Sequence, residues 1–107
     1  MELQIKGRNL EVSETMRDFA ERKLAKIGRM MHDSTRVELE LTVEKNPSVA
    51  ANQVAEATVW LKGHTLRGKE ASRDMKSSID QLAEKLHREL SKLSDKRVAK
   101  RRAGVES

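Results

Sequence analysis

Apolar residues along this chain switch between strand-like and helical spacing, and these switches predict its elements. Strand-like patterns, clearest in the strict alternation over 36–44, cover 1–6, 36–44, 53–62 and 65–71. Apolar residues three and four positions apart predict helices over 13–28 and 74–93. Ser13 is the expected N-cap of the first helix, and Gly28 is its expected C-cap.

The order β-α-β-β-β-α predicts an α+β fold. Each strand has one apolar face that needs cover, and two amphipathic helices provide it, so we expect a four-stranded mixed sheet with both helices packed on one face. The first two strands should be parallel and joined by a right-handed crossover, with an antiparallel meander after them. Residues 1–93 are predicted to form a single domain, and residues 94–107 a basic, flexible C-terminal tail.

Single residues add local expectations. Gly63-His64 is typical of a tight hairpin turn, and Gly68 inside the next strand indicates a bulge or a close backbone approach. Asp74 is expected in the first turn of the last helix, where its carboxylate complements the helix dipole. Lys23 interrupts the apolar stripe of the first helix. We favour a methylene stem that covers the core over an inward functional role.

The last helix separates its charges. Cations and acids fall on opposite flanks of its apolar stripe: Lys85, Arg88, Lys92 and Lys96 on one, and Asp80, Glu84 and His87 on the other. A row of cations on a rigid helix suits contact with a phosphate backbone. In the first helix, Arg22, Lys26 and Arg29 share one flank. With the helices side by side, we expect the two basic flanks to combine into one surface.

Charge and composition limit the classes of partner that this chain is expected to bind. Residues 85–107 carry eight basic and three acidic side chains, which accounts for the whole formal net charge of +5. This asymmetry favours a polyanion, nucleic acid before anionic membrane, and a solvated basic tail is the alternative. The absence of cysteine fits a cytoplasmic protein, and no apolar run is long enough to span a membrane. Aromatic residues are scarce, since only Phe19 and Trp60 occur, and this scarcity argues against RNA binding through base stacking.

Catalytic and metal-binding motifs are missing from the sequence. His32, His64 and His87 lie in three different elements without metal-ligand spacing, and no nucleophile or phosphate-loop motif occurs. We therefore expect no enzymatic activity, no metal, no cofactor and no small-molecule substrate. Trp60 is interpreted as a shield for the outer face of the sheet rather than a base-stacking residue. Electrostatic binding to a structured RNA surface is the best-supported activity.

An ordered set of short motifs spans residues 1–96: Gly7-Arg8-Asn9, Arg22-Lys23-Leu24, Gly63-His64-Thr65-Leu66-Arg67, Asp74-Met75-x-x-x-Ile79-Asp80 and Lys85-Leu86. Together they resemble the bacterial ribosome hibernation factors. The resemblance implies binding to the small ribosomal subunit and its rRNA, in the channel of mRNA and the A- and P-site tRNAs. It further implies that translation is blocked during stress or in stationary phase.

The resemblance also carries over rRNA contacts by position: Lys23, Lys26, Lys85, Arg88 and Lys92, with Arg8 and His64 as weaker candidates. Arg22 joins Lys26 on the flank of the first helix. The chain departs from the family where Lys76, Ser77 and Ser78 replace a frequent Tyr-Ala-Ala, and where Glu89 replaces a glutamine.

The length of the chain fits a short family member or a truncated long one, and we expect the isolated chain to be monomeric. A generic double-stranded-RNA binder and a protein–protein module with an acidic partner are the alternatives.

Overall fold

The computed structural model describes residues 2–30 and 36–106, and it describes side chains as far as residue 93. The elements are β1 (Glu2–Arg8), α1 (Glu14–Met30), β2 (Arg36–Val43), β3 (Gln53–Leu61), β4 (His64–Ser72) and α2 (Met75–Glu106). The sheet order is β1-β2-β3-β4, with β1 parallel to β2 and the other pairs antiparallel. The predicted α+β fold is confirmed. Met1 and His32 lie outside the described residues.

One hydrophobic core lies between the sheet and the two helices. The inward side chains of β2 and β3 have no exposed surface: Val37, Leu39, Leu41, Ala55, Ala57 and Val59. The helices complete the core with Ala20, Leu24 and Ile27 of α1 and with Met75, Ile79, Leu82, Ala83, Leu86 and Leu90 of α2. Both helices therefore cover the same face of the sheet, because alternate strand residues point to opposite sides.

The uncovered side of the sheet is polar. We call it the outer sheet face, defined by the outward side chains of Lys6, Arg8, Arg36, Glu38, Glu40, Glu56, Thr58, Trp60, Arg67 and Lys69. Their positions follow from the strict alternation of the strands and from the register between neighbouring strands. An antiparallel or mixed sheet with one solvated face is expected to carry this hydrophilic side.

Side chains at both helix starts satisfy free backbone N–H groups. The Met16 N–H donates to Ser13 Oγ at 3.1 Å, which confirms Ser13 as the N-cap of α1. The Ser77 N–H donates to Asp74 Oδ2 at 3.1 Å. Asp74 is thus the N-cap of α2, one position before the first turn in which the sequence placed it.

The predicted ends of both helices were too early. Gly28 is not the C-cap of α1, because the helix continues to Met30, whose side chain is half-buried against the core. Burial of that side chain favours another half-turn of helix over a glycine cap. The backbone of α2 continues past Leu93 to Glu106 through lysine, arginine and alanine, which are good helix formers. Flexibility of residues 94–107 stays a prediction.

The hairpin between β3 and β4 differs from the prediction by one residue. Lys62 and Gly63 form the turn, and His64 already pairs with Leu61 as the first residue of β4. Gly63 has a φ of 74°, a left-handed conformation that favours glycine.

No helix in the described part of the chain is both long enough and apolar enough to cross a bilayer.

Gly68 marks a close approach between strand and helix, and not a bulge. The register of β4 with β3 runs through Gly68, which pairs with Ala57, without interruption. A Cβ atom at Gly68 would lie 3.0 Å from Leu82 Cδ1 and 3.3 Å from Leu86 Cδ2. The missing side chain lets α2 pack directly on β4, which fixes the depth at which the helix and its cations sit.

Candidate nucleic-acid interface

The topology brings the C-terminal halves of both helices to one end of the sheet. The register aligns four residues in one row: Arg8, Thr42, Val54 and Ala71. The strands β1 and β4 therefore end on the same side, and both helices begin there. Leu82 and Leu86 pack over Gly68, so α2 runs back along β4 toward the Lys62-Gly63 turn.

A groove of about 460 Å³ separates the two helices. We call it the helix groove, and it is lined by Lys23, Lys26 and Ile27 of α1 and by Asp80, Ala83, Glu84, His87 and Arg88 of α2. Three of the predicted RNA-binding cations meet here. The structure also places two carboxylates among them, so the groove carries both signs of charge.

Lys23 joins the two helices. Its Nζ lies 2.9 Å from Asp80 Oδ1 on α2 and 5.6 Å from the centre of the Phe19 ring. Lys76 Nζ lies 5.8 Å from the same ring, so two lysines from two helices share one aromatic partner. The Lys23 side chain remains 36% exposed, which agrees with a stem along the core and a head in solvent. Its charge is already occupied by Asp80.

Lys26, Arg88 and Lys92 differ from Lys23 in having no acidic partner among residues 2–30 and 36–93. All three side chains are exposed. Within residues 2–30 and 36–93, no carboxylate oxygen lies within 4.0 Å of their charged nitrogens. They therefore have their full charge available for a ligand, and Lys26 and Arg88 face each other across the helix groove.

The cation row of α2 is divided between two sides of the helix. Lys85 Nζ lies 3.8 Å from Glu70 Oε1 on β4, whereas Arg88 lines the helix groove on the side of α1. The prediction of a single basic flank, separate from Asp80 and Glu84, is wrong. Residues three apart on a helix are about 60° apart around its axis, enough for two neighbours to face different elements.

The remaining predicted contacts lie away from the helix groove. Arg22 is exposed in a separate shallow depression on α1 that also contains Asp18 and Glu21. Arg8 lies on the outer sheet face, where its Nη1 is 3.8 Å from Glu40 Oε1. His64 is exposed at the start of β4, in the strand and not in the turn. Of the two basic flanks, Lys26 and Arg88 thus meet in the helix groove, whereas Arg22 lies apart from it.

Sequence reasoning missed the part played by Ser78. Its side chain is fully buried, its Oγ donates to the Gln53 carbonyl oxygen at 2.6 Å, and it lies 2.7 Å from Ser72 Oγ. These bonds attach the start of α2 to both β3 and β4. The available signal was its spacing of four residues from the buried Leu82, which places a small polar residue beside the apolar stripe.

Aromatic side chains and metal ligands contribute little to the candidate interface. Trp60 is half-buried on the outer sheet face with the Arg36 guanidinium 5.2 Å from its ring centre, which supports its interpretation as a shield. Among the residues with described positions, no group of three or more histidine or carboxylate side chains is arranged to hold a metal ion. The geometry is suited to binding a charged surface.

Comparison with known proteins places the chain in a family. Residues 3–98 match the family described as Sigma 54 modulation protein / S30EA ribosomal protein. The chain belongs to this family. It is 34% identical over 98 residues to the ribosome hibernation promoting factor of Azotobacter vinelandii, covering 92% of this chain and 87% of that protein.

A second relative is longer. The ribosome hibernation promotion factor of Picosynechococcus sp. is 33% identical over 102 residues, covering 94% of this chain and 53% of the relative. The chain therefore spans about half the length of that protein. These matches confirm the resemblance to ribosome hibernation factors. The family consists of binding proteins and not enzymes, which confirms the expectation that this chain is not an enzyme.

Solved structures agree with the fold. The N-terminal domain of Thermus thermophilus Protein Y is similar, with a TM-score of 0.75 and 28% identity, covering 87% of this chain and 99% of that domain. A ribosomal subunit interface protein from Coxiella burnetii gives a TM-score of 0.74 at 25% identity, covering 89% of this chain and 99% of the other.

Proposed function

We propose that this protein is a ribosome hibernation factor that binds the small ribosomal subunit and its rRNA. On this proposal it occupies the channel of mRNA and the A- and P-site tRNAs, and it blocks translation under stress or in stationary phase. The proposed site of action is the cytoplasm, where ribosomes are found. The observation that carries the proposal is a set of exposed cations on two adjacent helices that have no acidic partner among the side chains the structure describes: Lys26, Arg88 and Lys92.

The chemistry of these cations suits a phosphate backbone. Lysine and arginine contacts to phosphate fix the position of a protein on RNA and carry little sequence information. The axes of two packed helices lie about 8–10 Å apart, so the cations of both helices form one surface of fixed shape that suits folded RNA. The scarcity of exposed aromatic side chains is consistent with such a mode of binding.

The ion pairs rank the predicted contacts. Lys26, Arg88 and Lys92 are the primary phosphate contacts of the proposal. Lys23 and Lys85 are secondary, because RNA would have to compete with Asp80 and Glu70 for them. Three further predicted residues are peripheral contacts, since they lie on the outer sheet face, in a separate depression of α1 and at the start of β4: Arg8, Arg22 and His64.

A triple variant tests the proposal. Lys26→Gln, Arg88→Gln and Lys92→Gln should leave the melting temperature nearly unchanged, because exposed charges contribute little to folding. Removing one cation that binds phosphate should flatten the dependence of log K on log salt by about 0.7 to 0.9, so the three substitutions together should remove about two to three units. Affinity for purified small subunits, measured by sedimentation, should fall, and inhibition of cell-free translation should be relieved.

The matched control removes the same charge elsewhere. Lys6→Gln, Arg36→Gln and Lys45→Gln change three exposed cations, none of which lines the helix groove. This control should bind small subunits as the unchanged protein does. Equally weakened binding in both triple variants would mean that only net charge matters. Equal affinity for small subunits and for free duplex RNA would favour a generic double-stranded-RNA binder instead.

A further inference from the structure

The two edge strands of the sheet differ in how their outward cations are paired. On β1, Lys6 Nζ lies 2.7 Å from Glu38 Oε1, and Arg8 lies 3.8 Å from Glu40. On β4, Arg67 and Lys69 are exposed on the same outer sheet face. Within residues 2–30 and 36–93, neither β4 cation has a carboxylate oxygen within 4.0 Å.

The strand register explains part of this difference, that of Arg67. The strand next to β1 presents two outward glutamates, Glu38 and Glu40, directly opposite Gln4 and Lys6. The strand next to β4 presents Thr58 opposite Arg67 and Glu56 opposite Lys69. Acidic partners on neighbouring strands are thus fewer on the β4 side. The edge at β4 keeps an excess of positive charge, whereas the edge at β1 neutralises its own.

This edge is continuous with the basic side of α2. Lys85 approaches Glu70 on the helix side of β4, while Arg67 and Lys69 project from the other side of the same strand. The two β4 cations are two positions apart, which is about 6.7 Å along the strand. An edge strand also leaves backbone N–H groups without a neighbouring strand, and such groups bind phosphate oxygens. Cationic side chains and backbone N–H groups that can donate hydrogen bonds therefore extend from α2, around the edge of β4, to the outer sheet face.

We propose that this strip, made of Lys85, Arg67 and Lys69, is a second RNA-binding surface that contacts the phosphate backbone along the β4 edge. The inference rests on the proposed function, since the RNA is the one held by the helices. It adds that the RNA contact passes over the edge of β4 onto the outer sheet face. A role in preventing edge-to-edge strand pairing is the competing explanation, because charged residues on edge strands also do that.

The test is the double variant Arg67→Gln and Lys69→Gln. Removing two cations that bind phosphate should flatten the salt dependence of binding to purified small subunits by about 1.5 units and weaken binding roughly tenfold or more at 0.1 M salt. The charge-preserving variant Arg67→Lys should retain both properties. The matched control, Lys6→Gln with Arg36→Gln, removes two outer-face cations that already have partners and should change affinity less than about twofold.

The outcomes separate the two proposals. If the β4 double variant binds with unchanged affinity and salt slope while the helix triple variant fails to bind, the edge contact is refuted and the proposed function stands. Weaker binding without a change in salt slope would also refute a phosphate contact at β4. Self-association of the double variant with normal subunit binding would assign Arg67 and Lys69 to edge protection. If the unchanged protein does not bind small subunits, both proposals fail.

Discussion

The helix side and the β1 side of the outer sheet face both carry several cations, but they differ in what those cations contact. Along β1 and β2, Lys6 and Arg8 are paired with glutamates, and Arg36 lies over Trp60. On the helix side, Lys26 and Arg88 have no carboxylate within 4.0 Å in the part of the chain with described side chains. A count of positive residues therefore does not show which cations are available for a ligand, whereas their pairing does.

The physical reason lies in the spacing of the two kinds of element. Neighbouring strands are about 4.8 Å apart, so a cation on one strand reaches a carboxylate on the next. Helix axes are about 8–10 Å apart, and side chains on their outer surfaces extend into water. Lys23 and Asp80 form a pair because they lie where the two helices meet. Availability of charge thus follows from the architecture.

The largest effect should come from a charge placed on the covered face of the sheet. Leu39 has no exposed surface, so Leu39→Asp buries an unpaired carboxylate and should destabilise the fold by about 4 kcal/mol or more. Thr42→Asp, on the outward side of the same strand, should cost less than about 1 kcal/mol. Urea unfolding of both variants measures the difference. Equal stabilities would show that the two faces are wrongly assigned.

A smaller destabilisation is expected where α2 packs on β4. Gly68→Val places a branched side chain against Leu82 and Leu86, which already lie within contact distance of a Cβ atom, and should cost about 2 kcal/mol. On the outer face of the neighbouring strand, Thr58→Val should be nearly neutral. Thermal melts of the two variants test the contrast. A fully stable Gly68→Val protein would mean that the helix is free to move away from the sheet.

A still smaller effect on stability is expected from breaking the Lys23–Asp80 ion pair between the two helices. Both side chains of the Lys23–Asp80 pair are partly exposed, 36% and 46%, so Asp80→Asn should cost no more than about 1 kcal/mol. It frees Lys23 and removes a carboxylate from the helix groove, so affinity for small subunits should rise. Adding Lys23→Gln should cancel the gain. Weaker binding of Asp80→Asn alone would instead make the pair a requirement for positioning the helices.

The smallest effect concerns the pH response of the outer sheet face. The hydrogen bond from Lys6, partly offset by desolvation and aided by the charges of Lys6 and Arg36, holds the pKa of Glu38 below its ordinary value of 4.5. A carboxyl whose pKa is lowered by folding stabilises the fold above the unfolded pKa, and this contribution is lost as pH falls through the folded pKa. NMR titration should give a low Glu38 midpoint that rises in Lys6→Gln. An unchanged midpoint would remove Lys6 as the cause.

Much of the fold was predictable because local patterns and tertiary structure agree. The alternation through Val37, Leu39 and Leu41 correctly assigned the buried side of β2. Ser13 was correctly assigned as a helix cap, since its hydroxyl acts on residues three positions away. Predictions failed where contacts between residues distant in sequence determine the local structure. Gly28 continues α1 because Met30 packs against the core, a tertiary contact that outweighs the usual preference of glycine for a helix end.

The element order, the buried faces and the cation-rich last helix can all be read from the amino-acid sequence. They depend on residue spacing of two or of three to four, which is a property of the chain alone. Which cations are available depends instead on contacts between separate elements. Pairing of Lys23 with Asp80 and of Lys85 with Glu70 joins residues 57 and 15 positions apart. Such pairs form when packing brings separate elements within about 4 Å, a distance that no periodicity encodes.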